Sequence, residues 1–227
     1  MKNHPLATLL ISLSFFILLI SACSKSNTFQ PAPYNSVSDA FKQYSLFDTN
    51  SYWVFRNDLT LQKDTLTLTD FYSEKRFHTN PVTQKGYSYE AFLVTYTSKH
   101  IGIIKSEITA GEEQSTAEMM YENYRIYFNT GRYFSILTPM YPMNETQLLG
   151  INEGNYTNLA FMDEFVLNDI TYSKVYKTSV KDYHDGTDTM FMEYYLADGV
   201  GLIKYTATNS ATNLSWSLLQ SNAIPAK

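Results

Sequence analysis

The chain has 227 residues, with 17 basic and 22 acidic side chains, a formal net charge of −5 and a single cysteine. This balance, without any Lys- or Arg-rich block, argues against nucleic acid as a partner, because phosphate binding needs a basic patch. One cysteine excludes an intramolecular disulfide, so folding must depend on a hydrophobic core, and the length predicts one domain.

The N-terminus has the pattern of an export signal. Lys2 supplies a positive charge, residues 6–20 form an uncharged apolar run, and Ser21 and Ala22 are small residues at the position of a cleavage site. Residues 1–22 are therefore predicted to be a signal peptide. The apolar run is close to the length of a spanning helix, so an uncleaved membrane anchor is an alternative.

The end of this signal carries a more specific motif. Ile20, Ser21, Ala22 and Cys23 form a branched apolar residue, two small residues and a cysteine, and they resemble the lipobox of Gram-negative bacterial lipoproteins. The resemblance implies recognition by the signal peptidase at Ile20, Ser21 and Ala22, and a lipid on the thiol of Cys23. It implies an outer-membrane protein, since Ser24 is not an aspartate, the residue that marks inner-membrane retention. Residues 24–27 lack the acidic cluster associated with surface export, so the resemblance favours the periplasmic face over the cell surface. A secretory signal with an unmodified Cys23 is the other alternative.

The mature chain begins with a polar, proline-containing stretch. Residues 23–37 lack an apolar period, which predicts the lipidated cysteine followed by a flexible tether. Residues 38–227 are predicted to form one β-rich domain. Val37–Tyr44 has the apolar spacing of a short helix, with Ser36 or Ser38 as its N-cap.

The rest of the chain is dominated by strand patterns. Alternating or β-branched and aromatic runs predict ten strands, namely Tyr52–Phe55, Thr65–Thr69, Tyr87–Thr97, Ile101–Ile108, Tyr124–Phe128, Tyr133–Leu137, Thr171–Tyr183, Met190–Leu196, Gly201–Thr206 and Leu214–Leu219. Two stretches lack this alternation and are expected to be helical or irregular, Glu112–Glu122 and Asn144–Asp163.

The connections between these strands favour hairpins. Asn129-Thr130-Gly131, Asp185-Gly186 and Asp198-Gly199 are typical turn sequences. Because no long helices alternate with the strands, the chain is predicted to be mainly β and antiparallel. The expected architecture is a strongly curved sheet or open barrel of about ten strands with one or two short helices. A β-sandwich is the alternative.

One hairpin has a familiar sequence. Residues 194–205 run from two tyrosines through Ala197-Asp198-Gly199-Val200-Gly201 into a Leu-Ile-Lys strand. They resemble an aromatic–Ala-Pro-Gly-Val-Gly-Leu-Val-Lys hairpin of uncharacterised β-rich envelope lipoproteins, with Asp198 in place of the proline. The resemblance implies the β fold and no catalytic residue. Gly201 is expected where another part of the chain comes close to the strand.

An acidic loop is the only candidate for a metal site. Asp182, His184, Asp185 and Asp188 lie within seven residues and offer oxygen and nitrogen ligands. The spacing lacks the pattern of an EF-hand, and a solvated hairpin loop is the favoured interpretation. No cofactor is predicted.

The aromatic content is unusual, with 19 tyrosines and 14 phenylalanines. Tyrosine suits both strands and recognition surfaces. The densest region suggests a groove for a lipid, a glycan or a partner protein, formed by Tyr124, Tyr127, Tyr133 and Tyr141. The alternative is that these side chains belong to the core.

No catalytic motif accompanies these features. The chain has neither Gly-x-Ser-x-Gly nor His-Glu-x-x-His. The first hypothesis is therefore a non-catalytic, lipid-anchored envelope protein with a binding or structural β domain, held to the membrane by its lipid. The second is a LolB-like carrier of a hydrophobic ligand, which needs an apolar cavity under the sheet. The third is a hydrolase of envelope polymers.

Overall fold

Strands with one buried and one exposed face make up most of this chain. The computed structural model describes residues 33–79, 86–113, 120–137, 141–148, 154–185, 188–211 and 213–226. The predicted signal peptide, Cys23 and most of the predicted tether lie outside the described residues.

Thirteen strands and one helix occur in these ranges. The strands are β1 (Tyr34–Asn35), β2 (Tyr52–Asn57), β3 (Lys63–Thr79), β4 (Gly86–Thr97), β5 (Ile103–Glu113), β6 (Met120–Phe128), β7 (Tyr133–Ile136), β8 (Thr146–Leu148), β9 (Asn155–Leu167), β10 (Ile170–Asp185), β11 (Asp188–Ala197), β12 (Gly201–Thr208) and β13 (Asn213–Asn222). The helix, α1, is Asp39–Ser45.

The strands belong to one sheet. Twelve of them form a path in the order β7-β6-β5-β4-β3-β2-β13-β12-β11-β10-β9-β8, and all neighbours on this path are antiparallel. Strand β1 adds to β4 in parallel. Within the described residues the path does not close, because its end strands β7 and β8 do not pair with each other. The predicted open, antiparallel, mainly β sheet with a short helix is confirmed, and it replaces the alternative of a sandwich.

Two stretches contain more strand than predicted, because their sequences do not alternate regularly between apolar and polar residues. The stretch Glu112–Glu122 was expected to be helical or irregular, but β5 continues to Glu113 and β6 begins at Met120. The second such stretch, Asn144–Asp163, contains β8 and most of β9. Its inward positions include Asn158, a fully buried polar residue, so the apolar period typical of a strand is broken.

The helix forms where its cap and apolar spacing predict it. The Ser38 Oγ accepts a hydrogen bond from the Phe41 N–H at 3.2 Å, which caps the first turn. Phe41 and Tyr44 are buried on one face. In the part of the chain that the structure describes, no helix is long and apolar enough to cross a membrane.

The contacts of α1 show how strongly the sheet curves. The ring of Phe41 packs edge-on against Tyr124 of β6 at 6.3 Å, and the ring of Tyr44 against Tyr176 of β10 at 5.7 Å. Strands β6 and β10 lie near opposite ends of the path. One seven-residue helix can touch both only from the concave side, so α1 fills one end of the concavity.

The turn between β11 and β12 packs against α1 and the Phe47 ring that follows it. Gly201 has a φ of +84°, and a Cβ at this position would lie 3.0 Å from the Phe47 ring. The expected close approach at Gly201 is therefore confirmed. The Gly199 N–H donates to the Gln43 carbonyl at 3.0 Å, which ties the turn to α1.

Tyrosine hydroxyls bridge the two ends of the sheet. The Ser135 N–H donates to the Tyr156 hydroxyl at 3.2 Å, and the Leu137 N–H donates to the Tyr194 hydroxyl. The Tyr183 hydroxyl donates to the Tyr133 carbonyl. Residues 133 and 135 of β7 and residue 137 just after it occupy alternate positions, so all three backbone groups face away from β6. Side chains of β9, β10 and β11 thus take the place of a neighbouring strand.

A buried polar network lies beside this junction. The Thr178 hydroxyl donates to the Asn158 side chain at 2.6 Å, and the Asn158 amide donates to the Tyr141 carbonyl at 3.3 Å. Asn158 and Thr178 are fully buried. Since a buried polar group without a partner is costly, this network favours one placement of the Tyr141 segment on β9.

Candidate ligand-binding pocket

The core around Phe47 and Trp53 is closely packed, whereas a pocket lies near the turn joining β6 and β7. Around Phe47 and Trp53, beneath α1, the empty space between side chains is about 20 Å³. Near the turn joining β6 and β7, a pocket of about 250 Å³ remains. An apolar cavity of about 150 Å³ can hold benzene, so this pocket has room for a larger ligand.

The pocket floor is built from three neighbouring strands in register. Met192 of β11, Ala207 of β12 and Leu214 of β13 form one row across the sheet. Tyr205 and Trp216 are paired in the next row. The small Ala207 side chain, set between two longer ones, leaves space above the middle strand.

The walls come from segments far apart in the sequence. Met190 lies opposite Tyr183 across the β10–β11 pair, and both line the pocket with Ile101, Phe128 and Phe134. All but Phe128 are buried. Apolar walls of this kind are typical of small-molecule sites, which carry few polar groups.

The mouth of the pocket is polar. His100, Asn129, Thr130 and Arg132 line it and are exposed. The Asn129 N–H donates to the Gly102 carbonyl at 2.8 Å, which joins the β4–β5 turn to the β6–β7 turn. The lining of the pocket therefore changes from polar at the mouth to apolar at the floor.

Asp64 shapes one side of this mouth. Its carboxylate accepts hydrogen bonds from three consecutive backbone N–H groups, those of Lys99, His100 and Ile101, at 2.6 to 3.1 Å. Burial raises the pKa of Asp64, but these donors and the Thr65 N–H outweigh it, so the pKa is lowered. The charged carboxylate thus holds the β4–β5 turn in place.

Two of the tyrosines predicted to form a groove are buried. Tyr124 packs under α1, and burial in this environment raises the pKa of its hydroxyl well above the ordinary value. Tyr141 is 6% exposed, and its carbonyl accepts a hydrogen bond from the Asn158 amide. Both belong to the core.

The other two lie on the convex side of the sheet. The Tyr127 hydroxyl donates to the Glu107 carboxylate at 2.9 Å, and the Lys105 ammonium lies 4.3 Å from the ring centre. Burial and Glu107 raise the pKa of Tyr127 to about 12. Tyr133 packs beside Tyr127, with ring centres 5.4 Å apart. Since Tyr124 and Tyr127 face opposite sides of β6, the four tyrosines do not form one groove.

The residues of the predicted acidic loop lie in strands, with Asp182, His184 and Asp185 at the end of β10 and Asp188 at the start of β11. The side chains of Asp182, His184 and Asp188 are exposed, and the Asn155 amide donates to Asp182 at 3.2 Å. Asp185 lies opposite Asp188 in the strand register, and its side chain is outside what the structure describes. Across the described ranges, no group of three or more His, Cys, Asp or Glu side chains could hold a metal ion.

The pocket residues were missed as a site by the sequence analysis. Met190, Met192 and Trp216 fall within predicted strands, where their alternation indicates only a buried face. Arg132 follows a glycine turn and carries no motif. They come together because the sheet curves, which places residues 128–134 next to Tyr183 and strands β11–β13, elements with which they do not pair.

No family model, no curated protein and no solved structure matches this chain.

Proposed function

We propose that this protein is a lipid-anchored envelope protein whose β domain binds a small apolar ligand in the pocket between the β6–β7 turn and strands β10–β13. The observation that carries the proposal is the pocket of about 250 Å³ with its apolar floor on β11, β12 and β13, beside a core that around Phe47 and Trp53 leaves only about 20 Å³ between side chains. This combines the first hypothesis, a non-catalytic binding domain, with the apolar cavity that the carrier hypothesis requires.

The chemistry of the lining supports binding of a hydrocarbon chain. Methionine side chains such as Met190 and Met192 adapt to irregular apolar ligands. Each methylene removed from water contributes about 0.8 kcal/mol. A chain of about eight methylenes would therefore contribute about 6 kcal/mol before the entropy cost of association, which implies a dissociation constant of tens of micromolar or weaker.

Filling the pocket tests this proposal. The Ala207→Phe substitution places a ring in the empty space above β12, so we expect binding of N-phenyl-1-naphthylamine to weaken about tenfold or more. The dye is titrated into purified protein and displaced with 1-decanol, with binding followed by dye fluorescence. Ala160→Phe makes the same exchange on β9, at a half-exposed position outside the pocket, and should bind as wild type does.

Thermal unfolding provides the control on folding. Because Ala207→Phe occupies existing space, we expect it to unfold at a temperature no lower than that of the wild type. Dye binding by the folded Ala207→Phe protein as tight as in the wild type would contradict the proposed site.

The membrane anchor has its own test. We expect Cys23→Ser to abolish labelling by radioactive palmitate and to leave an uncut precursor, because the thiol is the proposed acceptor of the lipid. Ser24→Ala keeps the proposed lipobox and should be labelled as the wild type is. The anchoring proposal is wrong if the Cys23→Ser protein is processed and partitions into detergent as wild type does.

A further inference from the structure

A second cavity, which we call the hairpin cleft, lies between the start of β10, the β11–β12 turn and the end of β13. It is lined by residues 170–173, Asp198, Val200, Gln220 and Ser221, and its volume is about 320 Å³. Among the described residues it shares no lining residue with the apolar pocket. The volume is at the lower end of the range of about 300–1,000 Å³ for small-molecule sites, so the cleft suits a compact ligand.

Hydrogen bonds on both sides of the cleft hold the β9–β10 hairpin in place. The side-chain amide of Asn168, in the hairpin turn, donates to the Leu218 carbonyl of β13 at 2.9 Å, and its oxygen accepts from the Arg56 guanidinium at 3.1 Å. The Asp198 N–H donates to the Ser173 carbonyl at 3.4 Å. The hairpin is thus attached at two points, and the cleft is the space that remains between them.

Tyr172 is the side chain that points to a ligand in this cleft. It lines the cleft and is 6% exposed, yet its hydroxyl has no hydrogen-bond partner in the part of the chain that the structure describes. Burial raises the pKa of this hydroxyl, so it is protonated at neutral pH and can both donate and accept. Since a buried polar group without a partner is costly, a ligand hydroxyl in the cleft would be favoured as its partner.

The rest of the lining indicates a neutral ligand. Among the described residues, no Lys, Arg or His lines the cleft, so an anion would find no cation there. The Asp198 carboxylate accepts from the Lys174 ammonium at 3.0 Å, which offsets its charge and disfavours a cation. Neutral side chains that can donate and accept hydrogen bonds complete the polar lining, namely Thr171, Ser173, Gln220 and Ser221.

We propose that the hairpin cleft binds a neutral sugar ring, with one of its hydroxyls hydrogen-bonded to Tyr172. Sugar hydroxyls both donate and accept, as the hydroxyl and amide groups of the lining do. The C–H groups of the ring can pack on Ile170 and Val200, the apolar residues of the cleft. The shared chemistry is an uncharged pyranose, either free or at the end of a glycan chain. This site is additional to the proposed apolar site and does not depend on it.

Saturation-transfer NMR titrations test the site with the methyl β-glycosides of glucose, galactose and N-acetylglucosamine. We expect at least one of them to bind wild-type protein with a Kd of about 1 mM, the scale of a few neutral hydrogen bonds. Its affinity should fall about fivefold in Tyr172→Phe, which removes one hydrogen bond and keeps the ring. Tyr176→Phe makes the same exchange on the same strand outside the cleft and should bind within about twofold of wild type.

Two further ligands test the charge and the source of the sugar. Methyl β-glucuronide is an anion and should bind at least about fivefold more weakly than the tightest of the three glycosides, because the lining offers it a carboxylate and no cation. A β-linked trisaccharide of the best-bound sugar represents a glycan end. Tighter binding of the trisaccharide identifies a glycan as the source, and equal or weaker binding identifies a free sugar.

Three results would overturn the sugar site: no binding of any of the three glycosides, equal affinity of Tyr172→Phe and wild type for the one that binds, or tighter binding of the glucuronide. Displacement of N-phenyl-1-naphthylamine by 1-decanol should be the same in Tyr172→Phe as in wild type, because the two sites share no described lining residue. This control shows that the variant is folded, and it keeps the outcome separate from that of the apolar site.

Discussion

Replacing Tyr156 and Tyr194 together with phenylalanine is expected to lower the free energy of unfolding by about 2–6 kcal/mol. The two hydroxyls accept hydrogen bonds from the backbone N–H groups of Ser135 and Leu137, and both rings are fully buried. Phenylalanine keeps each ring but leaves a buried N–H without an acceptor, which costs about 1–3 kcal/mol for each group. The loss is a large part of the stability of a typical domain, about 5–15 kcal/mol.

Urea unfolding followed by circular dichroism measures this loss. Tyr172→Phe is the matched control, because the Tyr172 ring is also buried and the structure gives its hydroxyl no hydrogen bond within the described residues. We expect the control to lie within about 0.5 kcal/mol of wild type. If the Tyr156 and Tyr194 double variant were as stable as Tyr172→Phe, the hydroxyls would not hold β7 in place.

Asp64→Ala is expected to destabilise the domain by about 3 kcal/mol, since hydrogen bonds to a charged acceptor contribute about 1.5–3 kcal/mol each and the turn can partly recover with water. The substitution removes the acceptor of the Lys99, His100 and Ile101 N–H groups. Urea unfolding at neutral pH gives the loss. Asp70→Ala changes an exposed aspartate on the same strand and should cost less than about 0.5 kcal/mol.

The contribution of Asp64 should also depend on pH in a defined direction. Its pKa in the folded protein is lowered, below about 3.9 for an unfolded aspartate. The stability it provides is therefore complete above about pH 4 and is lost as the pH falls through the folded pKa. The stability difference between wild type and Asp64→Asn should be constant near neutral pH and shrink in acid. A difference that stayed constant down to pH 2 would contradict this role.

Local rules were sufficient for much of the fold. The Ser38 cap and the spacing of Phe41 and Tyr44 predict α1, and it lies there. The strict alternation of Thr65–Thr69 predicts a half-buried strand, and Leu66 and Leu68 are buried in β3. These features depend on residues within a few positions of each other, where sequence periodicity is informative.

Other features depend on partners distant in sequence. Asn158 is polar in a position that strand patterns assign to an apolar residue, because Thr178 and the Tyr141 carbonyl satisfy it. The abundance of tyrosine is also explained by partners that are distant in sequence. Side chains such as Tyr156 and Tyr194 supply buried area and, through their hydroxyls, hydrogen bonds to the edge of β7, a role that composition alone cannot distinguish from a recognition surface.

The pocket is the clearest case of this limit. Ala207 has the pattern of an ordinary inward strand position, and only its placement between Met192 and Leu214 in the sheet register shows the space above it. Arg132 lines the mouth of the pocket because the β6–β7 turn reaches this end of the concave side. Neither relation has a local sequence signal.

The central claim, that an apolar ligand binds at this end of the concave side, can be tested with the two tryptophans of the chain. Trp216 lines the pocket, whereas Trp53 lies at the filled end, its ring 5.3 Å from that of Phe47. Titration with 10-bromodecan-1-ol, whose bromine quenches tryptophan fluorescence on contact, should quench the Trp53→Phe variant, which retains Trp216, in a saturable manner. The Trp216→Phe variant should be quenched little. Equal quenching of both variants, or no saturable quenching of Trp216, would contradict the account.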